Sequence, residues 1–421
     1  MEKTAILFPG QGSQYVGMGK SLCDQYQTAR ETMQEASDIL GWDMGRLCWE
    51  EGMEKLTQTR YTQPAIFTVS VAYYRVYQQE YSLPIQYMAG HSLGEFTALC
   101  CSGAMGFADA LRLVSQRGIW MEESAQHGLG QMYAVRNITR EMMENVGLSE
   151  LGLSISCCNS PTDTVIAGTE AAFSQVQSRL EELGGSISRL AVSAPFHSPQ
   201  MTYARERLEA EIKHYRIEMP QVPVLSNVSA KPYESPAQIR DLLVRQMTEP
   251  VMWEQSMTYL REQDVTTCIE MGPKTVLKRL MHHESSIHTL SFDQAEDRQQ
   301  LTVQKQQKQP DGLHLIQQCL ANAVATKNRN EDHAEYVCSA VHPYQNIQTL
   351  LRIMVSDGRE PSLSEMALSL EMLQSVFRTK RTPVEEQRRR LERILQETRT
   401  MPFFSDLIPP KEGVREMKSQ L

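Results

Sequence analysis

The sequence predicts an α/β fold with a large domain built on a parallel sheet, a smaller inserted unit and a mainly helical C-terminal extension. Short apolar runs alternate with helical stretches over residues 1–126, and the pattern resumes over 194–290, as in a doubly wound layer of strands and helices. The intervening residues 127–193 follow the order strand, helix, strand, strand, helix, strand, which is typical of a ferredoxin-like unit. An insertion of this kind leaves a cleft between the two parts, where we expect a functional site.

Each predicted element has a local signal. Strands are predicted from short apolar runs bounded by turn residues. Helices are predicted where apolar residues recur every three to four positions, and several of these stretches are followed by glycine. In the large domain the predicted strands are 1–9, 85–89, 222–226 and 267–270, and a helix is predicted at 95–101. In the inserted unit the predicted strands are 131–135, 153–157, 164–168 and 186–192, and the predicted helices are 139–146 and 171–183.

A polar, glutamine-rich stretch separates the large domain from the C-terminal extension. Residues 291–311 include Gln-Lys-Gln-Gln-Lys-Gln just before Pro310, and we expect them to form a linker. Helical periods return over 312–421, with an amphipathic helix predicted at 361–378 and a highly charged one at 383–398. The extension shows no spacing typical of a catalytic site, so the sequence leaves its role open.

The composition is that of an ordinary globular protein, with 41% hydrophobic and 22% charged residues in a chain of 421. The formal net charge of −9 argues against general nucleic-acid binding, and no apolar run is long enough to suggest a membrane span. The nine cysteines include no C-x-x-C spacing. We therefore expect no metal site and a reduced, cytoplasmic protein.

The most informative motif is Gly-His-Ser-Leu-Gly at 90–94, which lies between a predicted strand and a predicted helix. A serine between two glycines at such a turn is the signature of a nucleophile elbow, as in hydrolase-like α/β domains. The glycines lack the Cβ atoms that would clash in so sharp a turn, and the turn lifts the serine oxygen out of the sheet edge. Ser92 is therefore the candidate nucleophile for acyl transfer through a covalent acyl-serine.

A serine nucleophile needs a base, and of the ten histidines His197 has the most suggestive position. It lies in the proline-bounded loop 194–199, directly after the last strand of the inserted unit and at the mouth of the expected cleft. On local evidence alone, a surface histidine is an equally good interpretation. His91, inside the elbow, is as compatible with a structural role as with a catalytic one.

Two N–H donors are needed to stabilise the oxyanion of a tetrahedral intermediate. The backbone N–H of Leu93, next to the nucleophile, supplies one of them. The glycine loop at 10–14 follows the first strand and lacks the lysine of a phosphate-binding loop. A backbone N–H near Gln11 could be the second donor, although a simple strand-to-helix turn explains the loop equally well.

Together these motifs resemble the malonyl-CoA:acyl carrier protein transacylase family, over roughly residues 1–290. The chain also resembles the free-standing acyltransferases that serve modular polyketide synthases lacking their own. Eight short motifs occur in the family's order and spacing: Phe-Pro-Gly-Gln-Gly-Ser-Gln at 8–14, Thr-Gln-Pro-Ala at 62–65, Gly-His-Ser-Leu-Gly-Glu at 90–95, Gln-Arg-Gly at 116–118, Ala-Pro-Phe-His-Ser at 194–198, Ser-Asn-Val at 226–228, Arg-Gln at 245–246 with Pro-Val-Met-Trp at 250–253, and Glu-Met-Gly-Pro at 270–273.

The resemblance implies a role for each catalytic motif. Ser92 would attack the thioester of malonyl-CoA, and His197 would take the serine proton and return it to the departing thiol. The family orients this histidine through a backbone carbonyl instead of an acidic side chain, and Gln246 matches that position. Gln11 and Leu93 match the backbone donors of the oxyanion hole.

The resemblance also implies a substrate pocket. Arg117 matches the family's carboxylate anchor, because a guanidinium offers two parallel N–H bonds that an ammonium cannot. Phe196 matches a residue that malonyl-selective relatives tend to carry, where a smaller side chain would leave room for a methyl branch. Gln63 and Asn227 match positions that line the cleft.

The implied reaction moves a malonyl group from malonyl-CoA to the phosphopantetheine thiol of an acyl carrier protein, for polyketide or fatty acid synthesis. No metal or redox cofactor, nucleic acid or membrane is expected, and the working expectation is a monomer. The alternative is an acyl hydrolase of the same fold that clears acyl groups from carrier proteins, in which water instead of a thiol would intercept the acyl-enzyme. Arg117 favours the transferase, because it would hold the free carboxylate of a malonyl group. The extension 312–421 is expected to be either a solvated helical segment that packs on the main body or a docking module whose basic run near Arg388 attracts an acidic carrier protein.

Overall fold

The computed structural model describes residues 3–81, 83–127, 130–192, 194–308 and 310–410. It divides into two compact units, residues 1–302 and 303–421. In chain order the strands are β1 (Lys3–Phe8), β2 (Tyr87–Gly90), β3 (Gln131–Arg136), β4 (Ser154–Ser160), β5 (Asp163–Gly168), β6 (Ser186–Arg189), β7 (Val224–Leu225), β8 (Val265–Glu270) and β9 (His288–Ser291).

The helices complete both units. The helices that begin in the first unit are α1 (Lys20–Gln25), α2 (Gln27–Leu40), α3 (Met44–Trp49), α4 (Gly52–Leu56), α5 (Thr59–Glu80), α6 (Leu93–Cys101), α7 (Phe107–His127), α8 (Arg140–Glu144), α9 (Glu170–Glu182), α10 (Thr202–Glu211), α11 (Pro236–Arg245), α12 (Trp253–Glu262), α13 (Val276–Leu280) and α14 (Ala295–Lys308). Those of the second unit are α15 (Gly312–Ala325), α16 (His333–Tyr336), α17 (His342–Asp357), α18 (Leu363–Thr379), α19 (Val384–Glu397) and α20 (Met401–Phe404).

The large domain is built on a parallel sheet with the strand order β7-β2-β1-β8-β9. Its central strand β1 is fully buried from Ala5 to Phe8, which is typical of a parallel sheet covered on both faces. Phe8 pairs with Gly90, so the C-terminal ends of β1 and β2 lie side by side. The loop after β1 and the elbow after β2 are therefore brought to one edge of the sheet, where open α/β sheets bind their ligands.

The inserted unit is an antiparallel sheet with the order β4-β5-β3-β6 and the chain order βαββαβ, which confirms the predicted ferredoxin-like arrangement. Its strand β6 is shorter than the predicted strand 186–192. The N–H of Val192 bonds back to the carbonyl of Leu190, so the chain turns away from the sheet there. Two backbone hydrogen bonds join strand β4 to Val251 of the large domain. The Cys158 N–H donates to the Val251 carbonyl, and the Val251 N–H donates to the Ser156 carbonyl, both at 2.8 Å.

The stretch predicted as a linker, 291–311, is mostly helical, which corrects that prediction. Helix α14 occupies most of it, and Leu301 on this helix is fully buried in the core of the first unit. Asp297 on the same helix accepts hydrogen bonds from Ser291 N–H at 2.7 Å and from Lys278 Nζ at 2.6 Å. Glutamine, lysine and glutamate are good helix formers, and residues 295–308 contain neither glycine nor proline, so their polar composition did not require an irregular segment.

The second unit has a hydrophobic core of its own, formed mainly by α15, α17, α18 and α19. Helices α18 and α19 confirm the two helices predicted in the extension, and α18 begins with a capping box formed by Ser362 and Glu365. The last part of the predicted extension, 411–421, lies outside the described residues. Across the described ranges, no helix is both long and apolar enough to cross a membrane.

Candidate active site

Ser92 lies at the turn between β2 and α6, in the backbone conformation φ 54°, ψ −107°. The turn depends on its two glycines. A Cβ atom on Gly90 would lie 1.9 Å from the carbonyl carbon of Gly94, and one on Gly94 would lie 1.9 Å from the carbonyl oxygen of Phe8. Any side chain at either position would therefore push the elbow away from the sheet. A strained backbone at this point is what holds the serine oxygen out of the sheet edge.

His197 contacts the serine directly, with its Nε2 atom 2.6 Å from Ser92 Oγ. Its other ring nitrogen, Nδ1, lies 2.7 Å from the backbone carbonyl of Gln246. A carbonyl can only accept, so Nδ1 carries the proton and Nε2 is left with a lone pair facing the serine. Burial and the nearby Arg117 charge lower the pKa of His197 to about 3, so the ring is neutral at pH 7 and able to accept the serine proton.

Arg117 is completely buried and reaches the same serine from another side. Its Nη1 donates to Gln63 Oε1 at 2.7 Å, and its Nη2 donates to Gln246 Oε1 at 2.9 Å and to Ser92 Oγ at 3.3 Å. Within the described residues its Nε has no hydrogen-bond partner. Burial lowers the pKa of Arg117 to about 9, so the side chain still carries its charge at pH 7. The two amides hold a cation in place beside Ser92.

The loop after β1 packs closely on the elbow. A Cβ atom on Gly10 would lie 2.5 Å from the carbonyl oxygen of His91 and 3.7 Å from the backbone nitrogen of Leu93. Gln11, Leu93 and Ser92 all line one cavity. The arrangement fits the predicted pair of oxyanion donors.

The cavity has a volume of about 490 Å³ and lies between the large domain and the inserted unit, as the sequence predicted. Ser92, His197, Arg117 and Gln63 line it on the side of the large domain. Much of the remaining wall is apolar and includes Met121, Met132, Ala134, Leu190 and Phe196. Two basic residues, Arg136 and Arg279, also belong to the wall.

Asn227 does not play the part expected from the sequence, which placed it among residues lining the cleft. Its Oδ1 accepts a hydrogen bond from the Ser92 backbone N–H at 2.7 Å, and its Nδ2 donates to the Gly90 carbonyl at 2.6 Å. The side chain is therefore beneath the elbow and supports its backbone. His91 is turned away from the serine: its Nε2 lies 3.0 Å from Asn159 Oδ1 in the inserted unit, and its ring packs near that of Trp253.

Two residues of this region were missed by sequence reasoning. Glu95 is fully buried one turn after the nucleophile, and it contacts Gln246, Asn227 and Tyr233. A lone acidic residue in the otherwise apolar helix α6 was a signal that could have found it. The Tyr233 hydroxyl gives no comparable signal, because only the fold brings it to Glu95.

A serine–histidine pair in hydrogen-bond contact, with a buried cation beside it on one cavity, is the arrangement of an enzyme that transfers acyl groups through a serine. Residues 6–327 match the profile of the acyl transferase domain. The chain belongs to the acyl transferase domain family and is an enzyme of the acyltransferase class.

One relative and two solved structures are similar to this chain over nearly all of their own length. A malonyl CoA-acyl carrier protein transacylase of Bacillus subtilis is 36% identical over 405 residues, which cover 92% of this chain and 99% of the relative. The crystal structure of FabD from Acinetobacter baumannii has a TM-score of 0.68 and 35% identity, covering 72% of this chain and 98% of that one. A malonyl-transacylase solved in complex with a type II polyketide acyl-carrier protein has the same TM-score and identity, covering 70% of this chain and 97% of that one.

Proposed function

We propose that this protein transfers a malonyl group from malonyl-CoA to the phosphopantetheine thiol of an acyl carrier protein, through a malonyl-serine intermediate on Ser92. The observation that carries the proposal is the pair of contacts at Ser92 Oγ, with His197 Nε2 at 2.6 Å and Arg117 Nη2 at 3.3 Å. The serine is thus adjacent both to a base and to a cation able to hold a second carboxylate. The names of the similar transacylases, including one solved with its carrier protein, support the same substrates.

In the first half-reaction, Ser92 Oγ attacks the thioester carbonyl while His197 Nε2 takes the serine proton. The carbonyl oxygen becomes an oxyanion, which the backbone N–H groups of Gln11 and Leu93 stabilise. The intermediate then collapses: the carbon–sulfur bond breaks, and His197 gives the proton to the departing CoA thiolate. The Gln246 carbonyl accepts from Nδ1 throughout and stabilises the imidazolium that forms in between.

The second half-reaction runs the same steps in reverse with a different thiol. The carrier's phosphopantetheine thiol gives its proton to His197 and attacks the malonyl-serine ester. His197 then returns the proton to Ser92 Oγ, which restores the free enzyme. Each proton moves between the substrates and this chain's own side chains, so the proposed cycle uses no cofactor.

Arg117 accounts for the preference for malonate. Its charge is held in place by Gln63 and Gln246, and its buried Nε remains an unused donor among the described residues. A carboxylate at the free end of the acyl group would supply the missing acceptor, whereas an acetyl group would leave it unpaired. Phe196 lines the cavity and precedes His197 in the chain, and we expect its ring to leave little room for a branched acyl group.

The test is to incubate the protein with malonyl-CoA and a phosphopantetheinylated carrier protein and to measure both proteins by intact mass. We expect a malonyl adduct on the enzyme and then on the carrier. Release of free malonate without acylated carrier would instead assign a hydrolase. Delivery in trans to a polyketide synthase stays a prediction, which the same assay would examine with different carriers.

Ser92→Ala should abolish the malonyl-enzyme adduct, because no other group replaces the nucleophilic oxygen. Ser102→Ala is the control: this serine lies just beyond helix α6 and is buried, and its hydroxyl donates to the Leu99 carbonyl, away from the reacting groups. Ser102→Ala should form the adduct normally. A covalent adduct that forms in Ser92→Ala as well would contradict the proposed intermediate.

A further inference from the structure

Glu95 is a fully buried carboxylate that accepts hydrogen bonds from three different segments of the large domain. Its Oε1 accepts from the Asn227 backbone N–H at 3.0 Å and from the Tyr233 hydroxyl. Its Oε2 accepts from Gln246 Nε2 at 2.6 Å. A buried carboxylate is costly unless its oxygens are bonded, and here both oxygens are.

Two of these partners control the reacting groups. Asn227 holds the elbow through Ser92 N–H and the Gly90 carbonyl. Gln246 contacts the site three times: its backbone carbonyl faces His197 Nδ1, its Oε1 accepts from Arg117, and its Nε2 also donates to the Ser92 carbonyl at 3.0 Å. Through Asn227 and Gln246, Glu95 is therefore one hydrogen bond away from contacts that hold the elbow, the His197 ring and one side of the guanidinium.

The chemistry of Glu95 also decides which way the Gln246 amide points. An ionised carboxylate only accepts hydrogen bonds, so it must face the NH₂ end of the amide. The oxygen end then faces Arg117, which only donates. The amide thus lies between the Arg117 donors and the Glu95 acceptor, and the reversed amide would place donor against donor at Arg117.

We infer that Glu95 is a positioning residue that acts through Gln246: it sets the amide orientation that holds Arg117 against Ser92, and with Asn227 it fixes the elbow on which Ser92 reacts. The part of the inference that concerns malonyl selectivity rests on the proposed function. The part that concerns the reactivity of Ser92 does not. Burial raises the pKa of Glu95 to about 7, while its three hydrogen bonds and the Arg117 charge favour the ionised form.

The variant Glu95→Gln keeps the shape of the side chain and replaces one acceptor by a donor. Whichever way its amide turns, an NH₂ group faces either Gln246 Nε2 or the Asn227 N–H, so the network is not satisfied. We expect the Gln246 amide to reverse and Arg117 to lose its acceptor. Two rates should then fall at least tenfold: sulfonylation of Ser92 by phenylmethylsulfonyl fluoride, and kcat/KM for malonyl transfer. The preference for malonyl-CoA over acetyl-CoA should fall as well.

Two variants separate positioning from a general loss of stability. Glu284→Gln also removes a buried carboxylate, one that pairs with Arg261 at 2.8 Å, and it should leave both rates within twofold of wild type. Tyr233→Phe removes one donor from Glu95 Oε1 and leaves the Gln246 contact intact. It should lower the melting temperature but slow sulfonylation less than threefold.

A double-mutant cycle with Gln246→Met tests whether Glu95 acts through Gln246. If it does, Glu95→Gln/Gln246→Met should be no slower than Gln246→Met alone, whereas independent effects would multiply. Should Glu95→Gln fail to fold, Gln246→Met by itself must show slower sulfonylation of Ser92 and a lower kcat/KM for malonyl transfer. Wild-type sulfonylation and intact malonyl preference in the folded Glu95→Gln variant would overturn the inference. A wild-type protein that is sulfonylated but never malonylated would refute the proposed function, while the sulfonylation rates still test Glu95.

Discussion

Arg117 is a charged side chain without exposed surface, and two amide oxygens determine where its donors point. Its position beside Ser92 Oγ depends on a planar group that can serve Gln63, Gln246 and the substrate together. A lysine ammonium would have to abandon at least one of them. We therefore expect substrate selectivity to depend on this single side chain.

Arg117→Ala should reduce kcat/KM for malonyl transfer by roughly ten- to a hundredfold, because a charged hydrogen-bonded contact contributes about 1.5–3 kcal/mol. Acetyl transfer should fall much less, since acetate has no second carboxylate. Arg117→Lys, which keeps the charge, should give an intermediate malonyl rate. The measurement is transfer from malonyl-CoA and acetyl-CoA in parallel, and equal losses on both would contradict the anchor role.

His197 makes stability depend on pH. Burial lowers its pKa to about 3, whereas a histidine of the unfolded chain titrates near about 6.5. Between these values the unfolded state binds a proton that the folded state does not, so the free energy of unfolding falls as pH decreases from about 6.5 towards 3. The expected slope is about 1.4 kcal/mol per pH unit.

The comparison with His197→Gln isolates this contribution, since Glu95 and Glu270 have opposite effects. Burial raises the pKa of each carboxyl to about 7, so both reduce stability as pH rises from about 4.5 to 7. The measurement is urea unfolding of both proteins at several pH values above and below 6.5. A stability difference that does not change between pH 6.5 and 4.5 would show that His197 is not held neutral.

The elbow keeps its geometry because its two glycines, Gly90 and Gly94, have no Cβ atoms. Gly94→Ala would place a Cβ atom 1.9 Å from the Phe8 carbonyl oxygen, which is backbone of the central strand and cannot move aside. We expect a loss of about 3 kcal/mol or more in the free energy of unfolding, together with loss of acyl-enzyme formation. Thermal unfolding and intact mass measure the two effects.

Gly106→Ala is the matched control for this prediction. A Cβ atom at Gly106 has open space around it, with no heavy atom of the described chain within 4 Å. We expect a change within about 0.5 kcal/mol and normal acylation. If both glycine variants behaved alike, the close approach of Gly94 to the sheet would not be what shapes the elbow.

At the scale of the whole molecule, the two units have separate hydrophobic cores, and α14 contributes Leu301 to the first of them. A chain ending at residue 310 keeps this helix, and we expect it to fold and to form the malonyl-enzyme from malonyl-CoA. A chain ending at residue 290 lacks Leu301 and Asp297, and should be less stable by several kcal/mol.

Thermal unfolding and acylation of the two truncated chains check this prediction. Aggregation of the chain ending at 310 would show that the first unit requires the second. Equal stability of the two truncations would show that α14 is dispensable, contrary to its buried contacts. Loss of carrier acylation alone, with acylation of Ser92 intact, would support the docking role considered for the extension.

The sequence by itself determined the layered α/β architecture, the inserted unit and the residues that meet at Ser92. It could do so because an elbow, a glycine loop and alternating apolar runs are local patterns, and each constrains its own backbone. Ser92 was found in this way, and His197 was a candidate because of its place in a proline-bounded loop. Arg117 was assigned only through the resemblance to the transacylase family. The structure brings His197 and Arg117 within hydrogen-bond distance of Ser92 Oγ.

Tertiary structure alone decided what surrounds them. Glu95 and Gln246 are 151 residues apart in the chain, and no local pattern reports that their side chains meet. The same holds for Asn227, whose amide lies under the elbow instead of on the cavity wall, and for α14, where burial of Leu301 turned a polar stretch into part of the core. Long-range hydrogen bonds and packing depend on how the elements are assembled, so they become visible only in the folded molecule.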